Sequence, residues 1–100
     1  WLGVSLQALP EDLAKRHGLA AGAGALVTEV VVGSPADKAG LKAGDVIVAF
    51  GGPPVPSLEA LVNRVRTADV GNKVAVEVVR DGGKKTVVVE MTKMPELFGR

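Results

Sequence analysis

The chain contains no cysteine and no tyrosine, a single histidine (His17) and only three aromatic residues, Trp1, Phe50 and Phe98. Without Cys there is no disulfide framework, no thiolate metal ligand and no Cys nucleophile, so the redox compartment stays open. One imidazole gives acid–base catalysis almost no material. Three aromatics exclude the stacking platforms of single-strand nucleic-acid binders. Twelve Lys and Arg oppose eleven Asp and Glu, a formal net charge of +1. The basic excess that a phosphate backbone or an anionic membrane selects is therefore missing, and no nucleic-acid partner is expected. The longest apolar run falls far short of the ~18 residues of a membrane span, so no direct membrane insertion is expected. No carboxylate or His cluster has metal-ligand spacing, and no cofactor is expected.

What is present is one domain's worth of chain: 100 residues, 47% of them apolar and 23% charged, enough for a modest core. Eighteen residues are valine, clustered in alternating or continuous runs, which is strand chemistry. Residues 2–8 alternate Leu2, Val4 and Leu6 against Gly3, Ser5 and Gln7, a half-buried strand. Residues 10–17 predict a short helix, with Pro10 in its first turn, Glu11 and Asp12 at the positive end, and Lys15 and Arg16 at the other. A buried strand is expected over 25–32, then a one- or two-turn helix capped by Ser34-Pro35 and stopped by Gly40. After a turn at residues 42–45 comes an apolar strand over 45–50, closed by the breaker run 51–54. Ser57 caps a further helix to about residue 68. Residues 73–80, the turn Asp81-Gly82-Gly83 and residues 84–91 form a hairpin. About five strands and two or three short helices predict an α+β fold, a small, partly open antiparallel β-barrel capped by helices.

The segment 34–50, Ser-Pro-Ala-Asp-Lys-Ala-Gly-Leu-Lys-Ala-Gly-Asp-Val-Ile-Val-Ala-Phe, is a specific order of events: capped helix, glycine stop, tight turn, buried strand. It resembles the "SPA…AGL…GD.I" stretch of PDZ domains. Trp1-Leu2-Gly3-Val4 is similar to that family's carboxylate-binding loop, an X-hydrophobic-Gly-hydrophobic motif. A loop at the start and a hairpin strand near the end resemble the permuted PDZ domains of HtrA/Deg-type serine proteases. The resemblance spans nearly the whole chain, giving a domain over 1–92 and a linker or tail over 93–100. The chain opens without an initiator Met or a signal-peptide pattern, which reads as a piece of something longer. The residues that precede the loop in the family, often including a basic one, are not in the sequence; a chain extended upstream is expected to bind more tightly.

A peptide's terminal carboxylate needs several donors, and successive backbone N–H groups at a Gly-containing turn form such a nest. Trp1, Leu2, Gly3 and Val4 are the expected carboxylate loop. The strand after it, with Ser5 and Leu6, can pair with an extended ligand by β-augmentation. From spacing alone, Leu2, Val4 and Leu6 are simply core residues of a first strand; the resemblance adds the second role. In the helix after Ser57, Leu58, Leu61, Val62 and Val65 form one apolar stripe. Leu61 is expected in the core. Matching the PDZ pattern puts Leu58 at the first groove position, Val62 one turn later, and Val65 beside the carboxylate pocket. Arg66, a groove candidate, can attract the carboxylate through water, but a solvated helix face is the stronger expectation for it and for Arg64. PDZ domains with His at the first groove position go with Ser or Thr two residues before the ligand's end; Leu58 implies an apolar ligand side chain there.

The remaining candidates are structural. His17 suits a helix C-terminus. The glycine-rich run 22–24 lacks the helix, Lys and Ser of a phosphate cradle. Ser34 and Ser57 are caps, and Ser5 has no visible base. Asp37 and Asp45 belong to a helix start and a turn.

No catalytic residue is expected in the chain itself. The resemblance implies a peptide-binding module for protein C-termini and unfolded polypeptide with apolar end residues. It implies a parent that is a periplasmic or cell-envelope serine protease, able to be a homo-oligomer. A site-2 metalloprotease, a tail-specific protease or a secretion component is the alternative parent.

Overall fold

The valine-rich segments pair in the order in which they occur. The computed structural model describes residues 1–19, 22–80 and 82–92, and contains β1 (Val4–Ala8), α1 (Glu11–Arg16), β2 (Ala25–Val30), α2 (Pro35–Ala39), β3 (Val46–Phe50), α3 (Leu58–Thr67), β4 (Lys73–Arg80) and β5 (Gly83–Glu90). The strands form one antiparallel sheet in the order β1-β2-β3-β4-β5, so β1 and β5 are its open edges. α2 packs on β5, and the N–H of Ala36 donates to the Leu2 carbonyl at 3.0 Å. The helix thus links one edge strand to the chain leading into the other.

Strand alternation sorts side chains onto two faces. Ile47, Val76, Val78, Val87 and Val89 meet Ala36, Leu41 and Leu61 in the main core, while Val46 and Val79 meet Leu9 and Ala14 in a smaller cluster under α1. In β3 the alternation breaks. Ile47 pairs with Val78 but Ala49 with Glu77, so Val48 is an extra residue, and this bulge swings Phe50 rather than Ala49 into the core.

The caps are where the residue types place them. Ser34 Oγ accepts the Asp37 N–H and Ser57 Oγ the Ala60 N–H, both at 3.2 Å. Gly40 ends α2 at φ 95°, a left-handed conformation that costs glycine nothing. His17 is the C-terminal cap of α1. Several boundaries differ from the sequence reading: β3 begins at Val46 rather than Asp45, and β5 runs Gly83–Glu90 rather than over 84–91. Pro10 precedes α1 rather than sitting in its first turn. β1 starts at Val4, since the carbonyls of Leu2 and Gly3 bond Ala36 N–H and Val31 N–H. β2 ends at Val30, and Val32 is 91% exposed, because the chain turns there and Ser34 N–H donates back to the Val31 carbonyl at 3.1 Å. In the hairpin, Arg80 pairs with Gly83. Asp81 of the expected turn and the expected tail at Met94 to Arg100 lie outside the described residues.

Asp45 does more than turn the chain. Its carboxylate, 2% exposed, takes two hydrogen bonds from Arg80, Nε at 2.8 Å and a terminal nitrogen at 2.6 Å, and a third from Lys42 N–H at 3.0 Å. Arg80 also donates to the Gly40 carbonyl at 2.8 Å. The pair fastens the end of α2 and the turn before β3 to the tip of β4. Burial alone would raise the Asp45 carboxyl, but the hydrogen bonds from Arg80 and Lys42 N–H, with the Arg80 charge, hold it below its ordinary value.

Candidate functional site

β1 is an edge strand, and its hydrogen bonds to the neighbouring chain fix which of its backbone groups face outward. Val31 N–H donates to the Gly3 carbonyl at 2.8 Å, beside the Val4–Val30 pair, so that pair exchanges no bonds of its own. Val27, opposite Leu6, spends its N–H and carbonyl on Asp45 and Gly44. A bulge between Ser5 and Leu6 makes Thr28 the extra residue of β2, and its hydroxyl donates to the Ser5 carbonyl at 3.1 Å. The antiparallel alternation therefore turns the N–H and carbonyl groups of both Val4 and Leu6 to the open edge.

Ahead of β1, the carbonyls of Leu2 and Gly3 are both engaged on the far side by Ala36 and Val31. A trans peptide places the next N–H opposite its carbonyl. The N–H groups of Gly3 and Val4 accordingly point away from those partners, toward the groove. Gly3 has φ 88°, which bends the chain so that consecutive N–H groups converge as a nest.

The opposite wall is α3. Leu61 is fully buried, while Val62 is 38% exposed and Val65 packs partly on the core. Between helix and strand lies a groove of about 170 Å³ lined by Trp1, Leu2, Gly3, Val4, Leu6, Val62, Val65 and Arg66. The structure thus brings together eight of the ten residues singled out by sequence. The other two lie outside this lining. Ser5 is exposed on the strand, and Leu58, in the first turn of α3, packs partly against the main core. Arg66 is the one charged side chain of the lining and puts a cation near the nest. Arg64 is engaged elsewhere, donating to the Pro53 carbonyl at 3.0 Å. The floor of the loop is not legible in the sequence: Ser34, 1% exposed, lies directly under Gly3. No local pattern joins two residues so far apart in sequence.

Chemically the groove offers an apolar cleft, one unpaired strand edge and two convergent N–H groups beside a guanidinium. The hydroxyls of Ser34 and Ser57 are engaged as helix caps.

A family model described as "PDZ domain" matches residues 1–91. The chain is 45% identical over 95 residues to a protein of Chlamydia trachomatis named "Probable periplasmic serine endoprotease DegP-like", covering 95% of this chain and 19% of that protein. A protein of the same name from Ectopseudomonas mendocina is 43% identical over 96 residues, covering 96% and 20%. The chain therefore spans about a fifth of the length of these curated relatives. Among solved structures, "HtrA-type protease AlgW with decapeptide" superposes with a TM-score of 0.81 at 34% identity, over 95% of this chain and 29% of that one. The HtrA3 PDZ domain "Bound to a Phage-Derived Ligand (FGRWV)" gives 0.78 at 25% identity, over 100% and 92%. The edge strand, the glycine loop and the helix opposite it are thus parts of a known plan, and the chain belongs to the PDZ domain family.

Proposed function

We propose that this PDZ domain captures polypeptides by their C-termini, the last residues adding as a strand to β1 and the terminal carboxylate entering the nest of Gly3 and Val4. The orientation of those two N–H groups into an apolar groove, beside the outward-facing backbone of Val4 and Leu6, carries the reading. Leu2, Val4, Leu6, Val62 and Val65 are the wall for an apolar last side chain, of the size of Val, Leu or Phe. The HtrA3 ligand, which ends in Val, is consistent with that choice. The domain would serve as the substrate-recognition module of a periplasmic HtrA/Deg-type serine endoprotease, whose catalytic groups lie outside this chain. Its partners would be C-termini and unfolded polypeptide with apolar ends.

Amidating the ligand's C-terminus tests this directly. Hydrogen bonds to a charged group are worth about 1.5–3 kcal/mol, so the amide should bind at least about tenfold more weakly than the free acid in a fluorescence titration. Equal affinities would remove the carboxylate from the site.

Two residues before the ligand's end, the side chain points the same way as the last one, toward α3. One turn before Val62 stands Leu58. An apolar wall leaves a Ser or Thr hydroxyl without a partner, at a cost of about 1–3 kcal/mol. L58H should therefore shift the preferred residue at that position toward Ser or Thr in a C-terminal peptide library. An unchanged preference would assign Leu58 to the core alone.

A further inference from the structure

By residue type, Ser34 is a helix cap, and the structure gives it that bond. It also gives Ser34 a second set of contacts. The same hydroxyl donates to the Gly3 carbonyl at 3.4 Å, a long bond, and the Ser34 side chain is buried flush against the Gly3 backbone. A Cβ on Gly3 would overlap Ser34 Cβ and stand 2.5 Å from its Oγ. Two residues further, Ala36 N–H holds the Leu2 carbonyl. The first turn of α2 is thus the bed on which the loop lies, with both loop carbonyls turned toward it or toward β2.

We propose that Ser34 is a positioning residue of the carboxylate-binding loop: by holding Gly3 against the first turn of α2, it aims the Gly3 and Val4 N–H groups at the ligand's carboxylate. This rests on the C-terminal reading above. Ser34 touches no ligand; it acts through peptide planes, since a carbonyl fixed on one side fixes the following N–H on the other. Donors held in place before the ligand arrives need no reorganisation on binding. A loosened loop would retain its apolar contacts but lose its preference for a free carboxylate.

The experiment compares the affinity of a labelled decapeptide ending in Val-Trp-Val with that of its C-terminal amide, for the wild type, S34A and D37A, with a thermal melt of each. Asp37 gives a control on the same turn: its carboxylate accepts Gly33 N–H at 2.8 Å and has no bond to the loop. Both variants should melt below the wild type. The acid-to-amide preference should fall from at least about tenfold to below about threefold in S34A and stay at the wild-type value in D37A. If S34A does not fold, S34C, similar in size but a poorer hydrogen-bonding group, carries the same comparison. A full preference retained in the serine variant would reduce Ser34 to a cap and overturn the proposal. A wild-type preference near one would instead overturn the C-terminal reading, and this inference with it.

Discussion

G3A should be the most damaging small substitution in the domain. Gly3 holds φ 88°, a conformation that costs a side-chain-bearing residue about 1–3 kcal/mol. Its new methyl would also overlap Ser34, which is 1% exposed and has nowhere to retreat; forcing an extra carbon into a packed site adds about 1–3 kcal/mol. Against a total stability of about 5–15 kcal/mol, the sum of several kcal/mol should lower the melting temperature by more than about 10 °C. The strain and the overlap are separable. Gly22 has φ 83° with open space where a Cβ would go, so G22A pays the backbone cost alone and should melt closer to the wild type. Because Gly3 supplies one of the two nest donors, G3A should also weaken the free-acid peptide at least about tenfold, whereas G22A should leave binding unchanged. Similar melting curves for the two variants would show that Ser34 yields easily to the methyl.

The second large effect lies at the ion pair of Asp45 and Arg80. Removing one member of a buried ion pair typically costs about 3–5 kcal/mol, because the other is left uncompensated. Asp45 is almost fully buried, but the Arg80 side chain is 22% exposed and can turn toward water. D45N should therefore fall at or below the low end of that range, about 2–3 kcal/mol. The sign with pH follows from the depressed carboxyl. A carboxyl lower in the folded than in the unfolded chain stabilises fully above the unfolded value of about 3.9, and that contribution is lost as pH falls through the folded value. The gap between wild type and D45N in denaturant midpoints should be wide at pH 7 and close below about pH 4. A gap that does not change with pH would mean the pair contributes little. Asp45 does not line the groove, so peptide affinity at pH 7 should be unchanged.

These two residues also mark how far the sequence could be read. Period-two valine runs, the serine caps and the hairpin turn are local signals, and the strands and helices they predict are present. The groove follows for the same reason: Val62 and Val65 share a helix face, and Val4 and Leu6 share a strand face. What was hidden is non-local. Nothing near Asp45 announces Arg80, and nothing near Gly3 announces Ser34. The bulges at Thr28 and Val48 leave no compositional trace, yet they decide which backbone groups face the groove and that Phe50 rather than Ala49 enters the core. Val32 looks like more strand, but Gly33 and the backward bond from Ser34 end β2 before it.

A sheet edge with unpaired N–H and carbonyl groups invites any other edge to join it, which is how sheets grow into aggregates. Here each open edge has a helix standing beside it, α3 along β1 and α2 against β5. With α3 standing over β1, a second sheet would have to displace that helix before it could pair with the edge. The helix proposed to meet the ligand's side chains is in this way also the domain's protection from its own kind.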